Sequence, residues 1–240
     1  MNILFLLMAL VAEVAGTIAG FGSSTILLPL SLLVFDFQTA LVLVALMHIF
    51  GNMSRIGFFR HGVDTRLLVS FGVPSVVGSV AGALLIPHVS QDLLKGLLGV
   101  FLVLYSVQAL WKERLRFAPN VTNALIGGSL SGFMAGLIGT GGPLRAAFLT
   151  AYGLKKEKYI ATAAAIALAV DLTRIPVYIQ QGFLQPHYYV YILWLLVIAL
   201  AGTWFGKYIV SRIAQRRFRQ IVLASLLLMG IQFVYGWLIS

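Results

Sequence analysis

Three arginines lie inside otherwise apolar runs of this 240-residue chain, and two of them occupy matching places in a repeated pattern. Asn52 to Phe59 aligns without a gap with Asp171 to Tyr178, 119 positions later, so Arg55 falls on Arg174 and Asn52 on Asp171. At the same offset Gly20, Gly22, Ser23 and Ser24 fall on Gly139, Gly141, Gly142 and Pro143. The third arginine, Arg145, has Ile26 as its counterpart. A guanidinium is a planar fork of donors that can hold two oxygens of a carboxylate, sulfite or sulfonate. Glu13, His48 and Asp171 share these apolar runs. Burial pushes a carboxyl toward protonation near neutrality, and an imidazole titrates there unaided, so these three are the candidates for carrying a proton.

The elements that position these groups follow from hydropathy. The chain is 60% hydrophobic and 10% charged, with a mean hydropathy of +0.97, which excludes an ordinary soluble domain. Apolar runs cover 2–35, 38–59, 67–87, 93–111, 120–152, 159–180, 187–206 and 220–239. Most are about 20 residues long, enough at about 1.5 Å per residue to span a hydrocarbon core of about 30 Å. No short alternating segments of barrel type occur. The first run lacks a basic start and a good cleavage site, so it is expected to be retained rather than removed as a signal peptide.

The net charge of +10 is explained by topology rather than by nucleic acid. Arg55, Arg60 and Arg66 follow the second run, Lys112, Arg114 and Arg116 the fourth, Lys155, Lys156 and Lys158 the fifth, and Lys207, Arg212, Arg216, Arg217 and Arg219 the seventh. Segments 36–38, 88–92 and 181–187 and both chain ends hold no Lys or Arg. The positive-inside rule makes the first group cytoplasmic and the second, with both termini, external. Trp111, Tyr188, Tyr189, Tyr191 and Trp237 stand near span ends, as interfacial aromatics do.

The run 120–152 has basic residues at both ends, yet as one helix it would reach about 50 Å, too long for one span. It is therefore expected to enter and return, turning at 139–143. The run 2–35 is equally long, lacks basic residues at either end, and should make the same hairpin from outside. The predicted fold is an all-α polytopic membrane protein built as an inverted repeat. Each half is a broken re-entrant helical hairpin plus three transmembrane helices. The first repeat covers 1–116 and the second 117–240. Helices end inside a bilayer only where protein or a water-filled cavity receives the freed backbone groups. The return halves, 24–35 and 143–152, should start near the midplane, offering unpaired N–H groups and partial positive charge to an anion. Pro143 fits the first helical position, and Ser23, Ser24 and Thr140 add hydroxyls. The glycines suit close backbone approach to a ligand and equally suit helix packing.

Arg145, about 15 Å from Lys155, should lie near the midplane, where an arginine costs at least about 3 kcal/mol. It is expected to face a polar cavity and hold an anion, a pair with Glu13 being the structural alternative. Arg55 and Arg174 suit selectivity or gating on opposite sides, with snorkelling to the interface as the other role for Arg55. Asp171 lies three residues before Arg174, on one helical face. Two roles fit: an internal salt bridge, or a proton-responsive pair that opens when substrate takes the arginine. Glu13 and His48 each fit a proton carrier or a hydrogen-bonded structural group. The candidate substrate site is Gly20, Gly22, Ser23, Ser24, Asn52, Arg55, Gly139, Thr140, Gly141, Gly142, Arg145 and Arg174.

No cysteine is present, so disulfides, thiolate metal sites and cysteine nucleophiles are excluded. No metal-protease helix motif and no Ser–His–Asp grouping points to an enzyme, and no cofactor is implied. The glycine run from Gly16 to Gly22 with Pro29, and the run Gly136 to Pro143, resemble the doubled signature of the TauE/SafE family, also called the toluene-sulfonate uptake permease family. The resemblance covers essentially the whole chain, including the Ala161-Thr162 pair early in the sixth run. It implies a transporter of the bacterial cytoplasmic membrane for small sulfur anions such as sulfite and sulfoacetate, with a proton as coupling ion. Arg145 stands where an aliphatic residue is expected. The absence of cysteine separates the chain from thiosulfate importers that depend on intramembrane cysteines. An anion channel and a carrier of small carboxylates are the alternatives. The expected partners are a small anion, membrane lipids and a proton, with no nucleic acid and the oligomeric state open.

Overall fold

In the computed structural model, residues 2–19, 22–58, 62–111, 117–209 and 215–239 are described, and among them every regular element is helical. Gly20 of the candidate site lies outside these residues, as do Arg60, Lys112, Arg114, Arg116 and Arg212 of the charge pattern. Seven helices are long and apolar enough to cross a membrane.

Both long runs break and return. Helix α1 (Ile3–Ala19) leads through Gly22, at φ +93°, into the eight-residue α2 (Ser24–Ser31). The two lie so close that a Cβ on Gly16 would come within 2.5 Å of the Ser23 Cα. Phe35, just past α2, meets Phe5 at the start of α1 edge to face at 5.0 Å. After α3 (Phe37–Phe58), α4 (Thr65–Leu67), α5 (Val73–Leu85) and α6 (Gln91–Trp111), the second hairpin pairs α7 (Val121–Ile138) with α8 (Gly142–Leu149). Gly139 supplies the turn at φ +73°, a left-handed conformation that glycine adopts at little cost. Ser131 Oγ donates to the Gly141 carbonyl at 2.8 Å, and the Tyr152 hydroxyl donates to the Asn120 carbonyl at 2.6 Å. The residues 120–152 thus double back on themselves. The first return half is shorter than expected: α2 is eight residues, about 12 Å, and gives way to turns after Ser31, whereas α8 continues as a 3-10 helix over Thr150–Tyr152. Pro143 takes the second position of α8 rather than the first, because Gly142 already opens the helix.

The remaining helices are α9 (Lys156–Gln180), α10 (Val190–Ile209) and α11 (Gln215–Ile239). Hydropathy placed several of these ends two to five residues off, because α9 and α11 begin with charged and polar turns that hydropathy excludes. A π-helical turn, Leu68–Gly72, joins α4 to α5 and had no hydropathic signal. Among the seven candidate spans α3 is the most enclosed and α11 the least. The tightest helix pair is α5 with α7. Gly128, Gly132 and Gly136 form one stripe of α7, and Cβ atoms there would stand 2.3, 1.9 and 2.0 Å from the carbonyl oxygens of Phe71, Ser75 and Ser79. Small residues let these backbones meet, so much of the glycine content serves packing. Gly132→Ala should therefore destabilise the fold by about 1–3 kcal/mol, read as a lower melting temperature in detergent. An unchanged melting temperature would show that α5 can retreat without cost.

Loops sort to two ends. The Asn2 N–H donates to the Tyr191 hydroxyl, Phe37 N–H to Gln91, and Gln181 to the Ala83 carbonyl. At the other end Lys158 bonds Asp64 at 2.9 Å, and Asp64, Arg66, Asn120 and Tyr152 line a cavity of about 180 Å³. The second group, with Arg66 and Lys158, belongs to the basic loops, and the first to loops without Lys or Arg.

Candidate functional site

The two hairpin tips touch. Thr25, one residue into α2, and Thr140, between α7 and α8, hydrogen-bond through their hydroxyls at 2.8 Å, and both are fully buried. Gly139 sits so close to Leu28 and Leu41 that a Cβ would lie 2.7 and 2.5 Å from their methyls. Behind the tips, α3 packs against α9. This contact brings together the two arginine-bearing segments of the repeat.

On α3, His48, Asn52 and Arg55 share one face, since three- and four-residue steps place side chains above one another. Arg55 donates to Asn52 Oδ1 at 3.1 Å and ion-pairs with Glu13 of α1. Thr203 of α10 donates to the same Glu13 oxygen at 2.9 Å, and Thr17 lies 3.4 Å from Arg55. Gly51 and Gly202 flank the Glu13 side chain so closely that a Cβ would stand 2.7 Å from its Oε1 or 2.8 Å from its Cβ. Two of the alternatives fall away here. Glu13 takes Arg55 rather than Arg145 as its partner, and Arg55 turns inward at 9% exposure instead of snorkelling. The fully buried carboxylate of Glu13 on α1 holds it there.

On α9, Asp171 and Arg174 form the internal salt bridge, with Nε–Oδ1 and Nη2–Oδ1 at 2.9 and 2.7 Å. Arg174 also donates to the Ala135 carbonyl of α7, and the Tyr178 hydroxyl donates to the Gly136 carbonyl. Asp171 has a further partner in the other segment: His48 Nδ1 lies 2.8 Å from its Oδ2. A carboxylate only accepts, so Nδ1 is assigned the hydrogen, and in the neutral ring Nε2 is the acceptor. That Nε2 faces the first helix break, 3.5 Å from where a Gly22 Cβ would stand.

Arg145, three residues after the start of α8, is closed in at 8% exposure. Among the described residues it has no hydrogen-bond or ion-pair partner, although the charges of Asp171, Arg55 and Arg174 all act on it. Two more buried donors lack partners: the Ser23 hydroxyl at the start of α2 and the Asn52 Nδ2 amide. Ser24 is buried beside Ser23, and the Gly141 backbone packs against Ser131. Thr140 spends its hydroxyl on Thr25.

Sequence reasoning missed Thr17, Thr25, Ser131, Tyr178 and Thr203. Two had a signal, because Thr17 is one turn from Glu13 and Tyr178 one turn from Arg174. Thr203, 190 positions from Glu13, had none. Groups of His, Asp and Glu able to hold a metal do not occur among the described residues.

Neither the curated proteins nor the solved structures contain a match to this chain. The family model of the sulfite exporter TauE/SafE proteins does match, over residues 4–233, and the chain belongs to that family.

Proposed function

We propose that the protein is a secondary transporter that moves a small sulfur oxyanion, of the sulfite, sulfoacetate or sulfonate class, across the bacterial cytoplasmic membrane by alternating access with a proton. The family consists of sulfite exporters, so the chain is read as a membrane transporter of sulfur anions and not as an enzyme. The observation that carries the reading is an arginine without a partner, Arg145 at 8% exposure, together with two buried donors without acceptors, the Ser23 hydroxyl and the Asn52 amide, and two touching half-helix starts. Leaving buried donors unsatisfied costs about 1–3 kcal/mol each, and an oxyanion satisfies all three kinds. Half-helix N-termini aimed at an anion are the recurrent device of transporters built from repeats.

Residues 1–116 and 117–240 are read as inverted repeats. The pairing of helices supports this, because exchanging the halves maps it onto itself. The α1–α10 contact exchanges with α7–α5, α3–α10 with α9–α5, and α1–α2 with α7–α8, while α3–α9, α6–α11 and α2–α8 map onto themselves. The basic end, with Asp64, Arg66 and Lys158, is cytoplasmic and both termini are external. Arg55 and Arg174 flank the site toward opposite faces as gating groups. The His48–Asp171 bond joins the halves that rock against each other.

Purified protein should melt at higher temperature with sulfite or sulfoacetate than with chloride, by up to about 2.7 kcal/mol of stabilisation at a hundredfold excess over Kd. In proteoliposomes, trans-side anion should accelerate exchange. Its failure to do so would point to a channel.

A further inference from the structure

We infer that the site holds one net negative charge: it takes a monoanion as it stands, and a dianion only together with a proton added to His48. This deepens the reading of the site as an anion site and rests on it. Among the described residues the buried charged side chains, leaving aside the His48 ring that pairs with Asp171, are Arg55, Arg145, Arg174, Glu13 and Asp171. Each carboxyl touches an arginine, Glu13 with Arg55 and Asp171 with Arg174, so each acts as a carboxylate. Three cations against two anions leave one positive charge, on the arginine that has no partner. In a low-dielectric interior an uncompensated second charge is too costly to hold. A monoanion neutralises Arg145 and completes the site. A dianion leaves one negative charge over.

His48 is the group placed to remove that excess. Its Nδ1 hydrogen is committed to Asp171, while its Nε2 is an open acceptor beside Gly22 at the first helix break. A proton from solvent therefore adds at Nε2 and turns it into a donor directed at the break, where Ser23 Oγ lies unpartnered. The charged and titratable groups around His48 are its direct partner Asp171, with Arg174 and the Tyr178 phenol from α9, and Arg55 of α3 with its carboxylate partner Glu13. Arg145 of α8, on which the charges of Asp171, Arg55 and Arg174 act, completes the set with Tyr159 of α9, beside the hydroxyls of Ser23 just before α2 and Thr203 on α10. Of all these, His48 is the group whose second ring nitrogen offers a lone pair beside the break.

The test compares two probes that keep their charge from about pH 6 to about pH 8: methanesulfonate, a monoanion, and sulfate, a dianion. Affinities are read by thermal shift on the wild-type protein. Methanesulfonate affinity should stay constant over this range. Sulfate affinity should weaken with rising pH by up to about tenfold per unit, the slope for uptake of one proton. Sulfate and methanesulfonate with equal slopes would overturn the charge count. His48→Gln, which keeps a side-chain hydrogen bond to Asp171, should flatten the sulfate slope, and a slope unchanged from wild type would remove His48 as the proton acceptor. If neither probe binds, the anion site itself is refuted, a result separate from the other two. The wild-type comparison decides the charge count even if the variant does not fold.

Discussion

Replacing Arg145 with alanine is expected to abolish anion transport in proteoliposomes while the melting temperature stays at or above that of the wild type. Most buried arginines behave in the opposite way, because removing one strands its carboxylate. Arg145 has no carboxylate to strand among the described residues, and an unpaired cation at 8% exposure is itself a cost to folding. Its loss relieves that cost and leaves the anion without its fork of donors. A hydrogen bond to a charged group contributes about 1.5–3 kcal/mol, so losing a bidentate contact weakens binding by at least about tenfold to a hundredfold. Arg145→Lys should recover only part of the affinity, since an ammonium supplies charge but no planar fork. Transport by Arg145→Ala at the wild-type rate would remove the residue from the site. A sharply lowered melting temperature would instead assign it a structural role.

Arg55→Met is expected to produce the second large effect, this time on stability. Glu13 is fully buried, wedged between Gly51 and Gly202, and one of its oxygens, Oε2, already lacks a partner. Without Arg55 its carboxylate keeps only the Thr203 hydroxyl. Breaking a buried ion pair from one side costs about 3–5 kcal/mol, because the remaining charge stays in a medium that cannot solvate it. Adding Glu13→Gln removes the stranded charge, so the double variant Glu13→Gln, Arg55→Met should melt well above the single Arg55→Met variant. Melting temperatures of both in detergent check this. Equal instability of single and double variants would mean that Arg55 matters through packing rather than through its charge.

The repeat is a useful measure of what each charge does. Arg55 and Arg174 are counterparts, but Arg55 takes its carboxylate from α1 and Arg174 takes its own from α9. The position equivalent to Glu13 is Gly132, which instead lets α7 close onto the Ser75 carbonyl. The duplication therefore conveys one scaffold and two differently compensated arginines. Only Arg145, with Ile26 in its counterpart position, was added without compensation.

Hydropathy and the placement of basic residues are properties of the chain read along its length. They were enough to locate the two runs that break, 2–35 and 120–152, and the six other apolar segments that form helices. The three arginines and their neighbours Glu13, His48 and Asp171 could be named for a related reason, since an ionisable residue in an apolar run is costly and stands out. Partner choice was not legible. Glu13 could as well have met Arg145, and nothing along the chain joins His48 to Asp171 across 123 positions. Those pairings depend on how far each helix is rotated about its own axis, and that rotation is set by where glycines let backbones meet: Gly51 and Gly202 around Glu13, and the Gly128–Gly132–Gly136 stripe of α7 against α5. Composition and order determined that charges would be buried in this membrane protein. Only the packing of helices in three dimensions decided which of them would be neutralised, because close contact between backbones is a property of surfaces and not of sequence.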